Sequence, residues 1–320
     1  MKGNRHNDNQ VVPRTEKSPE KIDEKDKTLV ESLRVNARLS YAELGTSISL
    51  SADAVRARVE RLINEGFIRL VTLVDPALVG KSTRISIGIN VTGNPDEFAR
   101  WANEQIEIIH LARTLGSFDF FGEMVSESDY TAHQFIVQKL RAAPGVTSVE
   151  VWPMLNINKW RQDTRSPSVS QQVLDQLSWS DEDFAIIREL TESPRIQFRE
   201  LAERLDRPYG IVRRRTMALL EAGVIRSTII INDLMFEHSC LAILLVKGDQ
   251  NIRQTLIDMP EVSILSSSTG SRQFVGEVHV SSREELALLA QKLSQQQEGM
   301  IETELLLQVA VDKLPASFQL

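Results

Sequence analysis

The chain has 320 residues, 42% hydrophobic and 25% charged, with a net charge of −7, which is ordinary for a globular protein and long enough for two or more domains. There is no run of eighteen apolar residues, and Cys240 is the only cysteine, so a membrane-spanning helix and an intrachain disulfide are both excluded. The acidic balance argues against nucleic acid, but distribution decides binding, and Arg207 to Arg226 holds five arginines against the single acid Glu221.

Residues 1–21 are polar, rich in Lys, Glu and Pro, and read as a disordered tail without a signal-peptide core, so the expected location is the cytoplasm. Asp23 with Asp26 three positions on marks a helix start, and Leu29, Val30 and Leu33 carry its apolar stripe. Ser40 opens a second short helix, and Ser49-Leu50 makes a turn. Ser51 caps a third helix, SADAVRARVERLINEG, whose Val55, Val59, Leu62 and Ile63 share one buried face. Gly66 ends it, and FIRLVTLV turns β-like.

Two short helices joined by a tight turn have the layout of a helix-turn-helix. Ser51, Ala54, Arg56, Ala57, Arg58 and Arg61 are the candidate DNA contacts on the third helix. Small residues let a helix approach base edges, and arginines reach phosphates or guanine. The same spacing suits a three-helix packing unit with a solvated face, so the pattern alone leaves both readings open.

Further on, RISIGINV (84–91) alternates as a strand, NPDEFARWANEQ is helical, and IIHLARTL and DFFGEMV are strands about the turn GSF. DYTAHQFIVQKLRAA is a helix and VTSVEVWPMLNI a last strand, giving the βαββαβ order of a ferredoxin-like unit. Residues 161–178 read as a linker.

Residues 183–226 then repeat residues 26–69 without a gap at a constant offset of 157, with Asp26, Leu33, Arg38, Glu43, Val55, Arg56, Arg58 and Gly66 among the positions that keep their residue type. LGSFDFFGEMV (115–125) likewise recurs as TGSRQFVGEVH (269–279). The expected fold is α+β: a winged-helix-like helix-turn-helix domain at 22–80 and again at 179–237, each followed by a ferredoxin-like βαββαβ domain, at 81–160 and 238–315. Two such units in one chain are expected to pair internally through their sheet faces. In the second copy the third helix begins at Arg207-Pro208, with Pro at the favoured first helical position. Tyr209 stands near its start, and Arg213, Arg214 and Arg215 are spaced about 100° apart around it, fanning over the exposed side.

No reactive constellation emerges. The histidines show no metal spacing, and His110 reads as a packed residue. Glu123 and Glu277 recur in Gly-Glu pairs with no visible acid/base partner and read as strand-edge residues. Cys240, in CLAILLV, reads as a packed thiol. No catalytic residue, metal or cofactor is expected, and the chain does not read as an enzyme.

The stretch IDEKDKTLVESLRVNARLSYAELGTSISLSADAVRARVERLINEGFIRLVTLVDPALVG (22–80) resembles the Lrp/AsnC family of feast/famine transcriptional regulators, down to Asp75-Pro76, Leu78 and Gly80. The resemblance implies a sequence-specific regulator that binds double-stranded DNA and assembles as a homodimer or higher homo-oligomer. It also implies an amino acid or related metabolite sensed near the turn between the second and third strands, where the family carries Thr-Gly-x-x-Asp. The first copy supplies Gly116 and Asp119 with Leu115 in place of Thr, and the second supplies Thr269 and Gly270 with Gln273 in place of the acid. The alternative is an enzyme. Siroheme decarboxylases resemble this family and include fused pairs of the same unit, but their His-Asn-Tyr-like run is absent from HLARTLGSFDFF.

Overall fold

The computed structural model describes residues 22–160, 179–231, 240–295 and 300–313. The expected tail (1–21) and linker (161–178) lie outside the described residues, as does most of the stretch after the second wing (232–239).

Local sequence sets the helix starts. Asp23 accepts from the Asp26 amide at 2.8 Å and Asp26 accepts from the Asp23 amide at 3.2 Å, closing a capping box before α1 (Glu24–Val35). Ser40 and Glu43 do the same for α2 (Tyr41–Ile48), and Ser51 caps α3 (Ala52–Asn64) through the Ala54 amide. Leu29, Leu33, Val55, Val59 and Leu62 are completely buried between these helices. Strand β1 (Ile68–Val74) follows. Asp75 then accepts from the Ala77 amide, and Gly80 sits at φ +75°, a left-handed position that suits glycine, so this stretch turns the chain towards the second module.

The second copy repeats the plan with α6 (Asp181–Glu192), α7 (Phe198–Arg204), α8 (Tyr209–Glu221) and β6 (Ile225–Ile231). Pro208 occupies the cap position of α8 rather than its first turn, so the helix starts one residue later than the sequence predicts, and no side chain caps that end.

The two helix-turn-helix modules are joined by an antiparallel pair, β1 with β6. Val71 faces Thr228, its own counterpart at the 157 offset, so a pseudo-twofold axis passes through that pair. Each strand also serves the other copy's core: Val74 packs with Ile187 and Leu190, and Ile229 packs with Leu33 and Phe67. Backbone bonds follow suit, with the Ala37 amide donating to the Ser227 carbonyl at 3.1 Å.

The remaining elements form one eight-stranded antiparallel barrel. The first copy contributes β2 (Thr83–Val91), α4 (Pro95–Glu104), β3 (Ile108–Leu115), β4 (Phe120–Ser126), α5 (Asp129–Gln138) and β5 (Val146–Trp160). The second contributes β7 (Cys240–Gly248), α9 (Ile252–Asp258), β8 (Val262–Ser268), β9 (Phe274–Val280), α10 (Arg283–Ser294) and β10 (Met300–Lys313). Round the barrel the order is β10-β3-β4-β2-β5-β8-β9-β7. Each copy is thus a four-stranded sheet in the same order, and the copies meet at the β5–β8 and β3–β10 seams. Helices α4 and α5 cover one sheet through Phe98 and Phe135, and α9 and α10 cover the other through Leu256 and Leu289. Between the sheets lie Phe118, Phe121, Trp152, Ile243, Leu245, Val275 and Leu306. Trp152 stacks on Phe121 at 6.1 Å and meets Phe118 edge-on at 5.5 Å, arrangements that add to the burial of large apolar rings. Cys240 is a buried free thiol in the second core, and His110 is buried in β3.

Candidate nucleic-acid interface

The exposed face of α3 follows from its stripe. With Val55, Val59 and Leu62 turned inward, Ser51, Asp53, Arg56, Ala57 and Glu60 are exposed and Ala54 is half-buried. Arg56 Nε donates to Glu60 Oε1 at 2.8 Å, one turn along, and this pairing raises the guanidinium pKa. On α8 the buried positions are Val212, Thr216 and Leu219. Tyr209, Gly210, Ile211, Arg213 and Arg214 are exposed, and the two arginines meet no carboxylate among the described residues.

The other arginines are turned to a different use. Arg58 is half-buried, and its Nη1 lies 2.8 Å from both Asp23 and Asp26. Arg61 Nη2 is 2.5 Å from Asp26, whose side chain is almost fully buried. The hydrogen bonds that Arg58 donates to Asp26 and Asp23 hold its guanidinium above its ordinary pKa. In the second copy Arg215 Nε is 3.0 Å from Asp183, and its Nη2 donates to Ser180 Oγ at 2.6 Å. Arg58 and Arg215 are counterparts, as are Asp26 and Asp183, so one ion pair is built twice and pins each third helix to the first helix of its module. The structure therefore divides the ten candidates: Arg56, Arg213, Arg214 and Tyr209 face outward beside Ser51 and Ala57, Ala54 is half-buried, and Arg58, Arg61 and Arg215 face acids within their own module.

Two arginines not singled out as contacts hold the modules together. Arg38 donates to the carbonyls of Pro194 and Ile196 at 2.8 and 2.7 Å and lies 4.9 Å from the centre of the Phe198 ring. Its counterpart Arg195 donates to the Leu39 carbonyl at 2.5 Å and lies 4.3 Å from the Tyr41 ring. The signal was present in the sequence: Arg38 recurs as Arg195, and Tyr41 as Phe198. Next to α8, an open groove of about 690 Å³ is lined by Arg199, Glu203, Asp206, Arg207, Pro208 and Tyr209.

The four candidate effector residues lie in two loops that are equivalent at an offset of 154. Each loop seats on the opposite copy. A Cβ on Gly116 would stand 2.5 Å from Leu306, and one on Gly270 would stand 2.7 Å from Trp152, the counterpart of Leu306. The Ser117 amide donates to Glu304 at 3.2 Å, and Ser271 Oγ donates to Glu150. Asp119 accepts from the Val91 amide at 2.9 Å and so braces its own loop. Phe118 plugs the first loop against Trp152, whereas Arg272 in the same place of the second pairs with Glu302 at 2.8 Å and Glu304 at 3.3 Å. Gly116 and Asp119 thus come together in one loop, Thr269 and Gly270 in the other.

Glu123 is not at a strand edge. It lies on β4 between β2 and β3, almost fully buried, with Arg84 Nη1 at 3.5 Å and Asp75 3.9 Å beyond that same guanidinium. The sequence missed this cluster because its members are far apart in the chain. Among the described residues no group of three or more His, Cys, Asp or Glu is arranged to hold a metal ion, and no helix is long and apolar enough to cross a membrane.

A duplicated pair of helix-turn-helix modules, each with an exposed third helix, set on a shared barrel, defines a two-headed DNA-binding type of protein. Residues 22–63 match the AsnC-type helix-turn-helix domain, and residues 182–226 match a winged helix-turn-helix DNA-binding domain. An HTH-type transcriptional regulator of Mycobacterium tuberculosis is 34% identical over 104 residues, covering 31% of this chain and 70% of that protein. An uncharacterized HTH-type transcriptional regulator of Pyrococcus horikoshii is 29% identical over 154 residues, 47% of this chain and 95% of that protein. The chain belongs to the Lrp/AsnC family of helix-turn-helix transcriptional regulators.

The fold is similar to that of the siroheme decarboxylase NirDL, with a TM-score of 0.62 at 15% identity, covering 92% of this chain and 94% of that one. The expectation that the chain is not an enzyme is corrected by this likeness: an enzyme shares the fold over 94% of its own length. The sequence had offered a siroheme-decarboxylase-like enzyme on this duplicated fold as the alternative, set aside because the His-Asn-Tyr-like run is absent from HLARTLGSFDFF.

Proposed function

We propose that this chain is a sequence-specific transcriptional regulator in which duplication supplies an internal dimer, two helix-turn-helix readers on a barrel of two ferredoxin-like units. General DNA binding comes with the family. The observation that carries the finer reading is the pairing of β1 with β6 about Val71 and Thr228, which relates α3 to α8 as the two readers of a dimeric regulator are related. Double-stranded DNA is the partner, and a homodimer of the whole chain would bring four such readers together. A small metabolite such as an amino acid would act at the Gly116–Asp119 and Thr269–Gly270 loops, whose seating on the opposite copy couples them to the inter-copy seam. The test is a gel-shift titration against DNA upstream of its own gene with specific and unrelated competitors. A shift displaced equally by both competitors would sink sequence-specific reading.

A second reading is a siroheme-decarboxylase-like activity, favoured by the likeness to NirDL. The buried Arg84, His110 and Glu123 inside the barrel are ionisable groups of the kind that proton-coupled chemistry uses. Anaerobic addition of siroheme, followed by absorption spectra and product analysis, decides it: no spectral change and no loss of carbon dioxide would reject this reading.

A further inference from the structure

We propose that the two readers divide their work unequally: α8 supplies the ionic anchor on the phosphate backbone, and α3 adds little charge. This rests on the DNA-binding reading above. The difference shows position by position across the pseudo-twofold axis. Arg56 and Arg213 are counterparts, but Glu60, which neutralises Arg56 at 2.8 Å, is replaced by Met217 in the second copy. Asp53, exposed near the start of α3, is replaced by Gly210, and Ala57 by Arg214. Leu50 and Ala42 are replaced by Arg207 and Arg199, both exposed and both lining the groove beside α8. The acids of that groove, Glu203 and Asp206, sit on α7 and in the turn, not on α8.

The outward face of α3 therefore carries one arginine between two carboxylates, and the face of α8 carries two arginines with no carboxylate against them among the described residues. A phosphate approaching α3 must displace Glu60 from Arg56 and also meets Asp53. At α8 it meets open guanidinium groups, and a cationic side chain that neutralises a phosphate releases condensed counterions. The module closer in sequence to the AsnC-type pattern is thus the weaker electrostatic partner. The operator this predicts is asymmetric, with its two halves read in a fixed orientation by one chain.

The test is the salt dependence of binding of the full chain to a mixed-sequence DNA duplex, followed by fluorescence anisotropy across a potassium chloride series. Each lost phosphate contact removes about 0.9 from the slope of log affinity against log salt. The double variant Arg213→Ala/Arg214→Ala is expected to flatten the slope by about 1.8, and Arg56→Ala by less than about 0.5. Glu60→Gln, which frees Arg56, is expected to steepen the slope and tighten binding. Equal flattening by Arg56→Ala, or no flattening by the α8 double variant, overturns the division of labour while leaving DNA binding intact. A wild-type chain that binds no duplex even at low salt overturns the DNA-binding reading itself, and the proposal with it.

Discussion

Arg38 and Arg195 occupy the same place in the two copies, and each donates across the pseudo-twofold axis to backbone carbonyls of the other module while lying over its aromatic ring. Burial lowers the pKa of both guanidiniums, Arg38 also through the charge of Arg195. Hydrogen bonds by a charged donor contribute roughly 1.5–3 kcal/mol each, and the ring contact about 0.5–1 kcal/mol. The reciprocal contacts make the two readers one body.

Replacing Arg38 by Ala is accordingly expected to lower unfolding stability by roughly 2–4 kcal/mol. Arg38→Lys should recover less than half of that, because an ammonium cannot span the two carbonyls as the planar guanidinium does. Urea denaturation checks this, read at constant m value; full rescue by Lys would reduce the contact to simple charge.

Asp26→Asn removes the carboxylate shared by Arg58 and Arg61. Breaking a buried pair from one side costs about 3–5 kcal/mol, reduced here because both arginines keep contact with solvent. A loss of about 2 kcal/mol is expected for Asp26→Asn. Arg58→Met should lower the melting temperature while leaving the salt dependence of DNA binding unchanged. A clear change in that salt dependence would return Arg58 to the list of phosphate contacts.

The helix-turn-helix framework was legible because its signals are local: the Asp23/Asp26 and Ser40/Glu43 caps and the stripe Val55, Val59, Leu62 all lie within a few turns. Which arginine faces outward was not legible. A helix places Arg56 and Arg58 about 200° apart, but only the packing of α1 against α3 reveals that Asp26 captures Arg58 and leaves Arg56 outside. Asp26 with Arg58 recurs as Asp183 with Arg215, but Arg56 recurs too, as Arg213, so the repeat alone does not single out the arginine in contact. Pairing of β1 with β6 and closure of the barrel at two seams join residues more than a hundred positions apart, and no periodicity records them.

Gly270→Ala tests the seam near the second loop. The added methyl would meet the Val151 carbonyl at 2.9 Å and Trp152 at 2.7 Å, and the carbonyl belongs to a paired strand that cannot retreat. Overpacking of this kind costs roughly 1–3 kcal/mol. Gly210→Ala, where a Cβ meets nothing within 4 Å, should be neutral or slightly stabilising by thermal melting, as Ala favours a helix. Equal melting temperatures for the two variants would show that the seam yields.

Lys313 closes the other seam. Its Nζ donates to the carbonyls of Ala102, Asn103 and Gln105 at 3.2, 3.1 and 2.7 Å, holding the end of α4 from the opposite copy. Lys159 repeats the contact by donating to Met259 at 2.7 Å. Burial pushes the Lys313 ammonium down to about 8 from the ordinary 10.5. The unfolded chain therefore holds this proton more tightly than the folded one, and this group adds stability as pH rises from about 8 towards 10.5. Lys313→Met removes that increment while losing the three donated bonds. The variant should thus be less stable throughout, and its deficit relative to the wild type should widen between pH 8 and 10. Urea midpoints across that range check the sign, and a deficit that narrows with rising pH would mean that the three carbonyls hold the ammonium charged against its burial.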